Sequence, residues 1–202
     1  SEIIKALHAI FQPSIIVERS DLAVRRQEDL DTAPITIHHG LVDGPVLFQE
    51  AGLWFFADVL HGQKTGFFLD QRDTRLAVQK LSSQKRVLNL FGYSGAFSVH
   101  AACGGAAFVT TVDSSHLALE QAQTNLRQNG FDHEDTSRFS LLEADVLDLL
   151  ADPHIPESPY DLIICDPPAF AKSATKLPQA IKAYTEVNAA CLRQLGPGGI
   201  LV

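Results

Sequence analysis

Val87-Leu88-Asn89-Leu90-Phe91-Gly92-Tyr93-Ser94-Gly95 is an apolar strand that breaks into a glycine-punctuated turn, and Ala96-Phe97-Ser98-Val99-His100-Ala101-Ala102 carries it on as a helix. Strand, glycine turn and helix in that order form a ligand-binding unit. Gly92 and Gly95 are expected to take positive φ angles or to let a ligand approach without a Cβ in the way, and the helix start offers unpaired N–H groups. The next apolar run, Ala107-Phe108-Val109-Thr110-Thr111-Val112, ends at Asp113. That carboxylate follows the glycines by roughly 20 residues, where a nucleotide-binding α/β unit places its ribose ligand.

Outward from this unit the pattern is regular. Apolar spacing predicts helices over 74–81, 96–102, 117–129, 146–150 and 179–195, alternating with strands over 86–90, 107–112, 139–143 and 162–165 and from 200 onward. Repeated βα units predict a doubly wound, mostly parallel sheet covered on both faces, with ligands at the carboxyl ends of its strands. Residues 1–73 read differently. A helix over 2–11 ends before Pro13, and short β-like pieces follow at 14–18, 35–38, 46–50 and 53–57, with turn signals at Asp43-Gly44-Pro45 and Ala51-Gly52. The expected organisation is a small β-rich α+β segment over 1–73 and an α/β domain over 74–202.

The chain has 202 residues, 46% hydrophobic and 20% charged, which suits one sizeable core with a small attached subdomain. No apolar run approaches the ~20 residues that span a bilayer, and the protein reads as cytoplasmic. Cys103, Cys165 and Cys191 lie far apart in apolar patterns without metal-ligand spacing, so they are expected to be buried thiols, and no metal is expected. The net charge of −8 runs against a domain that grips nucleic acid alone. Basic residues do cluster, as Lys64, Arg72, Arg75, Lys80, Lys85 and Arg86 and as Lys172, Lys176 and Lys182, either as a solvated surface or as a local contact patch. The sequence contains no methionine and stops at Gly198-Gly199-Ile200-Leu201-Val202 within a strand pattern, so it reads as a fragment.

Three strand ends join the glycine turn on one expected rim. Asp113 is followed by Ser114-Ser115 and can accept ribose hydroxyls or serve as a turn or cap residue. In Glu143-Ala144-Asp145-Val146, Asp145 can take an adenine amino group while Val146 packs on the ring, or it can cap the following helix. In Tyr160-Asp161-Leu162-Ile163-Ile164-Cys165-Asp166-Pro167-Pro168-Ala169-Phe170, two prolines hold the chain extended and remove two N–H donors. Asp166 beside those carbonyls makes an acceptor-rich edge, and Phe170 is either a face for stacking on an extruded base or a core residue.

Asn89-Leu90-Phe91-Gly92-Tyr93-Ser94-Gly95 does not fit the dinucleotide pattern G-x-G-x-x-G. Joined in order to Asp113, Asp145 and Asp166-Pro167-Pro168-Ala169-Phe170, it resembles the motif series of class I S-adenosylmethionine-dependent methyltransferases, with their Rossmann-like fold. With Gly62-Gln63-Lys64-Thr65-Gly66-Phe67-Phe68-Leu69-Asp70-Gln71-Arg72 it is similar to the large-subunit ribosomal RNA methyltransferases that include the cytosine-C5 methyltransferase I type and guanine-N7 relatives. That resemblance runs from about Glu18 to the end. It implies a seven-stranded sheet, a small α/β insert before it and, in the cytosine-C5 type, an N-terminal RNA-binding PUA domain, which is absent from this sequence. It departs at Ala169, where relatives often carry lysine.

By position, the resemblance implies that Asn89, Phe91, Gly92, Tyr93, Ser94 and Gly95 hold the methionine moiety of S-adenosyl-L-methionine. Asp113 and Ser114 would hold the ribose, Asp145 and Val146 the adenine, and Lys64, Thr65 and Gly66 would lie against the pocket with Arg72 nearby. Asp166, Pro167 and Phe170 would orient the target base, with Asp166 also near the cofactor. The implied partner is RNA, ribosomal in the closest reading, with the oligomeric state open and a dimer among the alternatives. Methylation of a nitrogen needs only this positioning, whereas carbon 5 of a pyrimidine needs a cysteine to add first at carbon 6. In the cytosine-C5 relatives that cysteine follows the strand beginning around Ile200, so the fragment, if folded, is expected to bind cofactor and to transfer methyl groups poorly or not at all. A small-molecule or protein methyltransferase, and a non-catalytic cofactor-binding domain, stand as the other readings.

Overall fold

A computed structural model of the chain describes residues 1–202 other than 22–24, 26–28, 64, 153–154 and 172–173. The chain divides into two compact units, Ser1–Phe48 with Phe56–Asp70, and Gln49–Phe55 with Gln71–Val202.

The first unit begins with helix α1 (Glu2–Phe11), capped by the Ser1 hydroxyl and ended by Gln12 in the left-handed conformation (φ 45°) ahead of Pro13. Strands β1 (Ile16–Glu18) and β2 (Thr36–His39) pair antiparallel with a bulge after Ile16. Strands β3 (Val46–Glu50) and β4 (Leu53–Ala57) form a separate hairpin rather than extending the first pair. Its two-residue turn has positive φ at Ala51 (51°) and Gly52 (84°), the twist that a tight hairpin favours.

The second unit is an α/β sandwich around a five-stranded parallel sheet, ordered β7-β6-β5-β8-β9. Its elements run α2 (Arg72–Leu81), β5 (Arg86–Leu90), α3 (Ala96–Cys103), β6 (Phe108–Asp113), α4 (His116–Gln128), β7 (Phe139–Glu143), α5 (Val146–Ala151), β8 (Tyr160–Cys165), α6 (Leu177–Gln194) and β9 (Leu195–Leu201). The helices pack as two layers, α2 with α3 and α4, and α5 with α6. The central strand shows why. In β5, Val87, Leu88, Asn89 and Leu90 are all buried, so both faces of the sheet must be covered. Leu88 and Leu90 pack with Val112, Ile163 and the α5–α6 residues Val146, Leu150, Val187 and Cys191.

The five strands compare with seven implied by the resemblance. The last strand also starts earlier than expected. Gly196-Pro197-Gly198-Gly199 reads as a loop, yet β9 follows α6 directly, because an irregularity opposite Tyr160 and Leu162 absorbs the glycines. Pro197 is exposed there and has no N–H to contribute. Pairing continues to the last residue, with the Val202 N–H donating to the Ile163 carbonyl at 2.9 Å.

Candidate functional site

Strand register assembles the rim. Leu90 stands beside Val112 on one neighbour and beside Cys165 on the other, so the next residues, Phe91, Asp113 and Asp166, emerge side by side. Asp113 is in turn level with Glu143. Neighbouring strands lie about 4.8 Å apart, which puts all four within roughly 15 Å along one edge. The chain leaves β5 toward β6 and β7 and later returns on its other side as β8. That reversal opens a crevice at the carboxyl ends of β5 and β8, the usual ligand position in such sheets.

The turn after β5 is strained, at Gly95 as expected but at Phe91 and Tyr93 rather than Gly92. Positive φ falls on Phe91 (56°), Tyr93 (44°) and Gly95 (71°) but not on Gly92. For Gly92 the need is room, since a Cβ there would stand 2.5 Å from Thr111 Cγ2 and 3.2 Å from Asn89 Nδ2. Gly95 needs both its φ and its size, because its Cβ would meet the Ala122 Cβ at 2.6 Å. Left-handed geometry at a residue with a side chain costs roughly 1–2 kcal/mol. The surroundings hold it in place. The Gly92 N–H donates to the Val112 carbonyl (2.9 Å), the Tyr93 N–H to Asp113 Oδ2 (2.8 Å), and Asn125 Nδ2 to the Ser94 carbonyl (2.8 Å). The other Asp113 oxygen accepts the Ser115 N–H at 2.9 Å. Each oxygen keeps a further lone pair for hydroxyl donors.

Under the turn lies a polar chain inside an apolar core. Asn89, 1% exposed, donates from Nδ2 to Ser98 Oγ (2.9 Å), and Ser98 is hydrogen-bonded to Thr111 Oγ1 (2.6 Å). The Asn89 Oδ1 is buried without a partner among the described residues. An orphaned carbonyl beside a glycine turn is fitted to accept from an ammonium or N–H of a bound ligand.

On the β6–β7 side, Ser115 rather than Ser114 caps α4, accepting the Ala118 N–H at 3.3 Å, and Ser114 is exposed. Asp145 caps α5 with one oxygen, accepting from Leu147 N–H (2.8 Å) and Asp148 N–H (3.2 Å). Its second oxygen remains for a ligand. Val146 is 3% exposed and packed into the core, so it offers a ring its backbone more than its side chain. His116 links Glu143 (2.9 Å) and Glu120 (3.5 Å) across this edge. Asp113, Glu143, Asp145 and Asp166 make the rim acidic, which favours a cationic ligand and repels phosphate.

On the β8 side Asp166, Pro168 and Ala169 are exposed, and Pro167 and Phe170 half-buried. The Phe170 ring lies 4.7 Å from the Tyr184 ring, tilted by 60°. Cys165 and Cys191 are hydrogen-bonded to each other. The Cys191 thiol donates to Cys165, which holds Cys165 below the ordinary thiol range, while that bond and burial push Cys191 up. Cys103 departs from expectation, being exposed at the end of α3 distant from the rim, where its sulfur accepts from Gln79 Nε2.

Thr65 and Gly66 belong to the first unit, and Lys64 lies outside the described residues. Gly66 is needed within its own unit, with φ 88° and a would-be Cβ 2.4 Å from the Asp58 carbonyl. Arg72 is exposed at the start of α2. The first basic cluster is not one surface patch. Arg75 is 1% exposed and pairs with Glu50 through two 2.7 Å bonds, and Arg86 pairs with Glu157 at the amino end of β5, opposite the rim. In the second cluster Lys182 pairs with Glu186, and Lys172 lies outside the described residues. Among the described residues no three His, Cys, Asp or Glu side chains are grouped to hold a metal, and no helix is long and apolar enough to cross a membrane.

Tyr184, Asn125 and His116 were not singled out in the sequence. Asn125 left a trace, as a polar residue on the apolar stripe Ala118, Leu119, Ala122 and Leu126 of α4.

A profile of the S-adenosylmethionine-dependent methyltransferases matches residues 42–202. The chain belongs to that family. Within it, the chain is 40% identical over 99% of its length to ribosomal RNA large subunit methyltransferase I of Aeromonas salmonicida and 39% identical to that of Vibrio cholerae, and it spans 50% of each. The chain thus spans about half the length of the curated relatives it matches. Among solved structures, a methyltransferase in complex with S-adenosylhomocysteine superposes with a TM-score of 0.80 at 27% identity, over 99% of this chain and 50% of that one. The M. jannaschii tRNA m1G37 methyltransferase shares the fold at 16% identity, with a TM-score of 0.68 over 99% of this chain and 52% of that one. S-adenosylmethionine is the cofactor of this methyltransferase family, and the orphaned Asn89 carbonyl and the spare Asp113 lone pairs fit its ammonium and ribose hydroxyls.

Proposed function

We propose that this chain carries the donor site, and one wall of the acceptor site, of an enzyme that methylates a base of large-subunit ribosomal RNA at a base nitrogen or at cytosine C5. The observation that carries the reading is the placement of Phe91, Asp113 and Asp166 side by side where the strand order reverses. A donor pocket and a base-binding edge thereby share one crevice. The relatives' names, at 39–40% identity, favour ribosomal RNA as the acceptor.

In this reading Asn89 and the turn from Phe91 to Gly95 receive the methionine moiety, Asp113 with Ser114 the ribose, and Asp145 with the Val146 backbone the adenine. When bound, the cofactor supplies an electrophilic methyl on a cationic sulfur, so the protein's share of the work is positioning. Asp166 and the carbonyls held open by Pro167 and Pro168 accept from the amino edge of the base, and Phe170 covers its face. The acidic rim suits the cationic donor. A cytoplasmic location follows from the substrate.

The test is methyl transfer from radiolabelled S-adenosylmethionine by the full-length protein to in-vitro transcribed large-subunit ribosomal RNA, transfer RNA and bulk protein. Label confined to the ribosomal RNA is the expected result, with Asp166→Ala lowering the rate at least about 100-fold through lost orientation. Label on protein, or on transfer RNA alone, contradicts the proposal.

A further inference from the structure

Phe170 is half-buried, with part of its ring packed on the core beside β8, and the prolines before it fix its backbone without setting χ1 and χ2. What packs on the rest of the ring sets which face it offers. The ring that meets it comes from a more rigid element. Tyr184 lies on α6, four residues after Ala180 and three before Val187, on the stripe that faces the sheet. Those two neighbours are each 3% exposed, whereas Tyr184 is 37% exposed. A helix following a parallel strand starts at the carboxyl rim, and Tyr184 lies about two turns into α6 from that end. Its ring meets that of Phe170 at 4.7 Å and 60°, a favoured aromatic geometry. Its hydroxyl has no hydrogen-bond partner among the described residues, so polar contacts do not explain its position.

We propose that Tyr184 is a positioning residue for the substrate base: it locks the Phe170 ring in the attitude on which the extruded base stacks. This rests on the function proposed above. The role belongs to the ring and not to the hydroxyl, and it concerns the nucleic acid and not the methyl donor, because Tyr184 meets Phe170, to which no donor role is assigned.

The experiment measures kcat and KM for in-vitro transcribed large-subunit ribosomal RNA with the full-length protein, together with calorimetric affinity for S-adenosylhomocysteine. Tyr184→Leu is expected to lower kcat/KM for RNA about tenfold and leave the S-adenosylhomocysteine affinity within twofold, while Tyr184→Phe stays within twofold of wild type in both. In a Phe170→Leu background Tyr184→Leu should have little further effect, since the ring it positions is gone. If the Leu variant does not fold, Tyr184→Met is read in its place. Unchanged kcat/KM in the Leu or Met variant overturns the proposal, as do equal losses in the Phe and Leu variants or full additivity with Phe170→Leu. A wild-type protein that methylates no RNA overturns the function proposed above and this inference with it, and is told apart because the defect is then not specific to Tyr184.

Discussion

At the scale of single residues, the donor turn is a strained loop held by its neighbours. Gly95 illustrates how two constraints coincide, since its φ of 71° excludes most side chains and the Ala122 methyl leaves no room for one. Gly95→Ala should lower stability by about 2–4 kcal/mol, adding left-handed strain to overpacking, as read from urea unfolding. These two glycines could be picked out of the sequence, but the division of labour between them could not. Nothing in the letters Phe91 and Tyr93 announces positive φ, because the strain arises from contacts to Val112, Asp113 and Asn125 far along the chain. Tyr184 was obscured for a related reason. An aromatic at helical spacing reads as core, and only the loop that Phe170 occupies makes it a rim residue.

At the scale of elements, the hairpin tip is fastened to its unit by a buried polar network. Glu50 takes both Arg75 bonds, His100 Nδ1 donates to Gln79 Oε1 at 2.9 Å, and the Phe55 ring stacks on His100 at 5.8 Å. Arg75 read as part of a surface cluster because its partner lies 25 residues upstream on another element. Glu50→Gln should cost about 3–5 kcal/mol by leaving a buried guanidinium without its carboxylate. His100, 0% exposed, has its pKa lowered from 6.5 to about 4, by burial first and by the Arg75 charge, against an opposing pull from Glu50. Between those values the unfolded chain binds a proton that the folded one does not. Stability is therefore lost as pH falls from 6.5 toward about 4, by about 3 kcal/mol in all, and this group adds no pH dependence above 6.5. Urea unfolding across that range should show the component in the wild type and not in His100→Gln.

At the scale of the whole molecule, alternating strand and helix patterns made the sheet legible before its topology was known, with β5 and β7 falling where the apolar runs are. The strand order, which brings Asp166 beside Phe91, follows from crossovers that no local pattern encodes. Acidic rim residues from three strand ends then define a site that a net charge of −8 does not oppose, because the donor is cationic. Calorimetric titration of the protein with S-adenosylhomocysteine, beside Asp113→Ala, tests that site most directly. One-site binding in the wild type and at least about tenfold weaker binding in the variant are predicted, since Asp113 holds the turn and is the proposed ribose ligand. A folded wild type that gives no heat, or an Asp113→Ala variant that binds equally well, would contradict the account.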